Sequence, residues 1–359
     1  MVETRIGVLL HDFQLGGSER IAIRLAREWA RLGREVTLFV GEEHGPLRGL
    51  AGDAVSIMAR GGMPSQGRDI RSLARWAAGA AFDARVSAIF LPGNSYSLAI
   101  GTLNRGGLRV FTKLSNPVVR PDKPALRNAL FRVLMGQRWR GLTGLVICSE
   151  GEAAEVRQQV KLRVPVAVIA NPVLDAMPAA AAVRKVPGQF CAIGRLVPQK
   201  NYPLLLEAFA LLRDLPLTLR IAGDGELRSE LGQLAVQLGI AERVAFLGAL
   251  PDVAPLLAQS EALLLSSNFE GFPSVCVEAM AAGTFVIARD AGAGVREILR
   301  APRTGSIVVD STPAAFAGAV RDYWQHRGVD TGAARAIAAN HVIAPIALRY
   351  LELFDHAGT

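Results

Sequence analysis

Short apolar runs alternate along this chain with stretches of helical period, a pattern that predicts parallel sheets with crossover helices. In the first half, Ile6–Leu10, Val36–Val40, Val55–Met58, Val86–Leu91, Val110–Leu114, Leu145–Cys148 and Val166–Ala170 read as strands. After Ser18, the positions Ile21, Leu25, Trp29 and Leu32 share one helical face, and Gly33 is placed to end that helix. The alternation restarts with Phe190–Ile193, Leu217–Ala222, Val244–Leu247, Ala262–Leu265, Phe285–Ala288 and Ile307–Val309. Between the two series, residues 172–188 hold Pro172, Pro178, Pro187 and an alanine tract without periodicity, which marks a linker. The expected fold is α/β: two open, doubly wound, Rossmann-like domains facing an interdomain cleft.

Length and composition agree with that expectation. A chain of 359 residues exceeds one ordinary core and suits two domains of about 150–200 residues. Half of it is apolar and 36 glycines punctuate it regularly, which excludes disordered and fibrous classes. Asp12 and Gln14 follow the first apolar run at once, making that run too short for a signal peptide. No stretch reaches the ~20 apolar residues of a membrane span. Cys148, Cys191 and Cys276 stand apart in apolar surroundings and lack metal-ligand spacing, so they read as buried reduced thiols of a cytoplasmic protein.

Charge changes the picture only in the first half. Residues 1–180 carry 24 Lys and Arg against 15 Asp and Glu, and residues 181–359 carry 16 against 17, so the net +8 lies entirely in the former. Such a bias fits an anionic partner. It is densest at 120–140, where Arg120, Lys123, Arg127, Arg132, Arg138 and Arg140 are opposed by Asp122 alone and interleaved with Leu126, Leu130, Phe131, Val133, Leu134, Met135 and Trp139. One reading is an interfacial helix on the inner face of a membrane. The other is an ordinary domain helix that buries Leu126, Leu130 and Leu134. With few aromatics and no recognised module, nucleic acid is not an expected partner.

Four motifs carry candidate chemistry. His11-Asp12-Phe13-Gln14-Leu15-Gly16-Gly17-Ser18-Glu19-Arg20 joins the first strand to the first helix. Its paired glycines allow close ligand approach and the helix start offers free N–H groups to an anion, although a tight turn explains it equally. It lacks the Gly-x-Gly-x-x-Gly of a dinucleotide site. Gly194-Arg195-Leu196-Val197-Pro198-Gln199-Lys200-Asn201 follows a strand and opens a helix near Asn201, placing two cations where a diphosphate is well received. Ala222-Gly223-Asp224-Gly225-Glu226 also ends a strand, but Asp224 reads as a turn former. Last, Glu270-Gly271-Phe272-Pro273 leads into a helix from Ser274, with Glu278 one turn inside, so both carboxylates can face one crevice.

These residues resemble the retaining glycosyltransferases of family GT4, which have the two-domain GT-B fold. The resemblance spans nearly the whole chain. It rests on Gly16-Gly17-x-Glu19-Arg20, Gly194-Arg195 with Lys200-Asn201, Gly223-Asp224-Gly225, the Glu270/Glu278 pair, and Asn171-Pro172-Val173 at the crossover. It implies an acceptor-side domain at 1–175, a sugar-nucleotide domain at 176–340 and a C-terminal helix at 341–359 that returns to the first domain. It implies further that Gly16 and Gly17 meet the donor diphosphate through Gly17 N–H, and that Arg195 and Lys200 clamp it. Glu270 and the turn of Gly271, Phe272 and Pro273 would hold the transferred sugar, and Glu278 the ribose.

The donor expected from family frequency is a UDP-sugar, used as co-substrate with no cofactor and no metal, in keeping with the lack of an Asp-x-Asp motif. The acceptor would be a glycan or a lipid-linked sugar of a bacterial surface polysaccharide such as lipopolysaccharide. Many family members place a His after the strand equivalent to Val110–Leu114. Here Lys113-Leu114-Ser115-Asn116-Pro117 stands there, so Ser115 or Asn116 contacts sugar or acceptor, or caps a turn. Transfer to a small soluble acceptor and a non-catalytic sugar-nucleotide-binding protein remain alternatives.

Overall fold

The computed structural model describes residues 4–14, 16–61, 69–120, 122–179, 184–301 and 303–357. Leu15 of the first glycine motif, Pro121 of the basic segment and 180–183 of the linker lie outside the described residues. The chain divides into two compact units, one reaching Asp175 and resuming at Val342, the other running from Ala176 to His341.

The first unit is a seven-stranded, all-parallel sheet of β1 (Ile6–Leu10), β2 (Val36–Val40), β3 (Ser56–Ala59), β4 (Ala88–Leu91), β5 (Arg109–Lys113), β6 (Gly144–Ile147) and β7 (Val166–Val168). Their order across the sheet is β3-β2-β1-β4-β5-β6-β7. The helices α1 (Gly17–Arg31), α2 (Ile70–Asp83), α3 (Ile100–Arg105), α4 (Ala125–Arg138) and α5 (Glu150–Gln159) connect them. Alternation along β1 explains the two cores: Ile6, Val8 and Leu10 join Leu25 and Trp29 of α1 on one face, while Leu9 joins Phe39 and Leu73 on the other. Helix α1 buries Ile21, Leu25 and Trp29, and Gly33, at φ +90°, turns the chain out of it.

The second unit repeats the plan with β8 (Gln189–Ile193), β9 (Thr218–Ala222), β10 (Val244–Gly248), β11 (Ala262–Leu265), β12 (Phe285–Arg289) and β13 (Gly305–Val308), ordered β10-β9-β8-β11-β12-β13. Its helices are α6 (Tyr202–Ala210), α7 (Arg228–Gln237), α8 (Ala254–Gln259), α9 (Ser274–Ala281), α10 (Ala293–Ile298), α11 (Pro313–His326) and α12 (Thr331–Ala339). The last helix, α13 (Ile343–His356), belongs to the first unit. There Tyr350 and Phe354 pack with Trp29, Phe90 and Phe111, and Trp29 Nε1 donates to Ala347 O at 3.2 Å.

Two strand starts lie two residues from where the hydrophobic pattern puts them, for identifiable reasons. Val86 is drawn into the closing turn of α2, its N–H bonding Ala81 O at 2.9 Å, so β4 begins at Ala88. Edge strand β13 begins at Gly305, because its pairing with Val286 on β12 sets the start whatever the side chains are.

Candidate active site

In an open parallel sheet, ligands bind beyond the carboxyl ends of the strands where the strand order reverses. In the second unit that point lies between β8 and β11, and two loops open from it: Gly194–Lys200 after β8 and Ser266–Pro273 after β11. They bring Lys200 and Glu270 together, Nζ donating to Oε1 at 2.7 Å, with the glutamate side chain only 8% exposed.

Lys200 is held by its backbone. Pro198–Lys200 forms a single 3₁₀ turn, and Asn201 adopts a left-handed conformation (φ +48°) before α6 begins. The strand-end residues of β11 bracket this turn. Ser266 Oγ donates to Lys200 O at 2.8 Å, Asn268 N to Gln199 O at 2.8 Å, and Asn268 Nδ2 to Pro198 O at 3.1 Å. Asn268 Oδ1 in turn accepts from Asn201 Nδ2 at 3.1 Å and from Arg289 Nη1 at 2.7 Å. Ser266, Asn268 and Arg289 escaped the sequence reading. Nothing in their spacing singles them out, and only the neighbouring of β11 with β8 and β12 brings them to the turn.

The Gly223-Asp224-Gly225 motif supports the same loop. Gly223 lies at φ +143°, and a Cβ there would fall 1.9 Å from Gly194 O. Leu196 N donates to Asp224 O at 2.9 Å, while Asp224 Oδ1 accepts from Gly225 N at 2.8 Å. Asp224 is a turn residue, as its setting suggested.

Glu278, on α9, is half-buried. Burial pushes the Cys276 thiol up first, Glu270 raises it further, Lys200 lowers it and Glu278 raises it, so all three charges act on one buried atom. Burial followed by Glu270 likewise pushes up the Tyr202 hydroxyl, which donates to Gly194 O at 3.0 Å. Arg195 stands apart: its side chain is exposed and makes no ion pair among the described residues. The Glu270 N–H is already bonded to Ala291 O at 2.8 Å. Because proline has no N–H, only Gly271 and Phe272 of the turn can offer backbone donors to a sugar.

In the first unit the order reverses between β1 and β4. Gly16 caps α1 in an extended conformation, and Gly17 is its first residue, with nothing described within 4 Å of where its Cβ would lie. Glu19 turns back over Gly16, and Tyr96, fully buried, donates to Glu19 Oε1 at 3.4 Å while accepting from His11 N at 3.2 Å.

Ser115 and Asn116 lie beyond β5 and are knitted to the loop after β4. Ser115 N donates to Asn94 Oδ1 at 3.2 Å, Asn94 N to Ser115 Oγ at 3.4 Å, and Asn94 Nδ2 to Asn116 O at 2.8 Å. Gly93 makes this possible, since a Cβ would come within 2.3 Å of Ser115 Oγ. The turn role is therefore realised, and the Asn116 side chain is left exposed. Beneath it, Lys113 is buried with its Nζ on Asn171 Oδ1 at 2.7 Å.

The basic segment departs from the ordinary-helix reading. Met135 is the one fully buried residue of α4, whereas Leu126, Leu130 and Val133 are 84%, 58% and 58% exposed. Their spacing puts them on one stripe. Among the described residues, no helix is long and apolar enough to cross a membrane.

Comparison with known proteins matches both units. Residues 16–172 fit the model of the glycosyl transferase 4-like domain, and residues 176–337 fit that of glycosyl transferases group 1. The chain belongs to this GT4-type family of GT-B glycosyltransferases.

One similar protein is the N-acetylgalactosamine-N,N'-diacetylbacillosaminyl-diphospho-undecaprenol 4-alpha-N-acetylgalactosaminyltransferase of Campylobacter jejuni, 35% identical over 128 residues. That match covers 35% of each chain. Another is the lipopolysaccharide core biosynthesis glycosyltransferase LpsE of Rhizobium meliloti, 35% identical over 129 residues, which are 36% of this chain and 37% of LpsE. The matches thus span about a third of these relatives' length. Among solved structures, Anabaena HepE in complex with UDP and glucose superposes with a TM-score of 0.80 at 19% identity, over 99% of this chain and all of that one.

Proposed function

We propose that the protein transfers a sugar from a UDP-sugar to a glycan or lipid-linked acceptor in the assembly of a bacterial surface polysaccharide, with retention of configuration. The observation that carries this reading is the Lys200–Glu270 pair at the switch point of the second unit. A fixed ammonium on a strand-end turn suits a leaving diphosphate, and the adjoining carboxylate suits sugar hydroxyls.

Cleavage of the sugar–phosphate bond develops negative charge on the diphosphate. Lys200 is preorganised to meet that charge by the bonds that bracket its turn, so little reorganisation is needed as the bond breaks. Arg195, exposed and without an ion pair among the described residues, closes on the same phosphates as a fork. In the first unit, Gly17 offers a backbone N–H to an anion at the start of α1. Glu278 holds the ribose. The acceptor hydroxyl attacks from the face the diphosphate leaves, and a phosphate oxygen takes its proton. In this reading protein cations and N–H groups fill the place of a divalent ion. The relatives acting on undecaprenol-linked sugars and on lipopolysaccharide core support a surface-polysaccharide role.

The exposed stripe of α4 favours an acceptor held at a membrane. Leu126, Leu130 and Val133 face outward with Arg127 and Arg132 beside them, which suits the anionic inner face of a cytoplasmic membrane.

The test is release of UDP from a panel of UDP-hexoses, with GDP- and ADP-sugars as controls. Thermal shift against the same panel identifies the donor, since a ligand at 100 times its Kd adds ~2.7 kcal/mol of stability. Absence of any shift or turnover with every nucleotide sugar sinks the proposal. Binding without turnover in the presence of lipid-linked sugars leaves a binding protein instead.

A further inference from the structure

The turn Glu270–Pro273 is bonded at both ends, Lys200 Nζ donating to Glu270 Oε1 at 2.7 Å, and Ser274 N and Cys276 N donating to Phe272 O and Pro273 O at 3.0 Å. Pro273 stands at the N-cap of α9 and provides no side-chain hydrogen bond to the helix start. Further anchors lie on the side of α10, where Glu270 N meets Ala291 O at 2.8 Å and a Cβ on Gly294 would fall 2.4 Å from Gly271 O. The Phe272 side chain is held differently. Phe272 packs its ring against that of His341, centroids 5.0 Å apart and planes inclined at 46°.

His341 is well placed for such work. It is 8% exposed, and its N–H bonds Ala338 O at 2.9 Å just beyond α12. Helix α12 is itself tied to α9, Arg335 Nη1 donating to Ala281 O at 2.8 Å. The imidazole therefore approaches the turn from a frame already fixed to the helix that carries Glu278. An inclined aromatic contact of this kind restricts a ring without closing the turn's free N–H groups.

We propose that His341 is a positioning residue for the donor-sugar turn, acting through Phe272 to hold Gly271 and Phe272 N–H and Glu270 in register with the sugar. This rests on the reading of Glu270–Pro273 as the sugar-binding turn. The nucleotide is served by Lys200, Arg195 and Glu278, so His341 governs turnover and leaves nucleotide affinity alone.

The experiment compares wild type, His341→Ala, His341→Phe and the exposed neighbour control Asn340→Ala. Amide hydrogen exchange is followed in the peptide covering residues 268–276, together with UDP affinity and UDP release from whichever UDP-hexose the wild type hydrolyses. In His341→Ala, the peptide is expected to exchange faster, UDP affinity to stay within about twofold, and turnover to fall about tenfold, the scale of a small misplacement at a reacting centre. His341→Phe restores both readouts, and Asn340→Ala leaves them unchanged. Unaltered exchange in His341→Ala overturns the proposal. So does a parallel loss of UDP affinity, or exchange raised across the whole chain in both His341 variants. If the wild type neither binds nor turns over any nucleotide sugar, the transferase reading fails, and the exchange comparison still decides the role of His341.

Discussion

Lys200 Nζ lies 2.7 Å from Glu270 Oε1, and the two residues are 70 positions apart in the chain. The pair neutralises a cation on the β8 loop with an anion on the β11 loop, and in the proposed function the one meets phosphates and the other sugar hydroxyls. Their partnership thus makes the two side chains answer differently to substitution.

Lys200→Ala is expected to weaken UDP binding about 10- to 100-fold, the scale of charge-assisted hydrogen bonds to phosphate. Glu270→Gln removes the competing anion, so UDP binding should tighten about threefold or more while sugar turnover falls. Titration calorimetry with UDP and a UDP-release assay report the two effects separately. Weaker UDP binding in Glu270→Gln would contradict the division of labour.

Gly17 offers a sharper test than most glycines, because nothing described lies within 4 Å of its missing Cβ and it is already helical. Gly17→Ala should leave the fold intact, even stabilised by about 0.4–1 kcal/mol through the unfolded chain. UDP affinity should nonetheless drop, by about tenfold, as the methyl group keeps the phosphates from the helix start. A thermal melt and a UDP titration on one preparation settle it; unchanged affinity would remove Gly17 from the site.

In the proposed function Glu278 holds the ribose. Glu278→Gln should therefore weaken UDP binding about tenfold and leave inorganic pyrophosphate binding unaltered, since only the former carries ribose hydroxyls. Equal losses for both ligands would place Glu278 elsewhere.

For α4, Leu126→Glu and Leu130→Glu alter exposed positions, so melting should move by no more than about 0.5 kcal/mol in stability. Flotation with vesicles of anionic phospholipid is expected to show binding by the wild type, none by the double variant, and weakening as salt is raised. Wild-type protein that stays with the soluble fraction at low salt ends the membrane reading.

How much of this was legible beforehand follows from the range of each interaction. Strand identity and the reversal of order are local or topological, and Ile6–Leu10, Val36–Val40 and Ala262–Leu265 stand where apolar runs put them. The family motifs were likewise legible, because each spans only one loop and the start of the helix after it. Helix α4 was not: Leu126, Leu130 and Met135 are all apolar, and only packing decides that Met135 goes in while the leucines stay out.

By itself, then, the sequence determined two α/β units, their strands, and the loops and helix starts carrying Gly17, Lys200, Glu270 and Glu278, since periodicity and turn chemistry act over a few residues. Tertiary structure alone decided that Lys200 pairs with Glu270, that Asn268 and Arg289 bracket its turn, and that His341 meets Phe272. Hydrogen bonds and ring contacts act over a few ångströms, so which distant residues share one is set only when the strands take their order in the sheet.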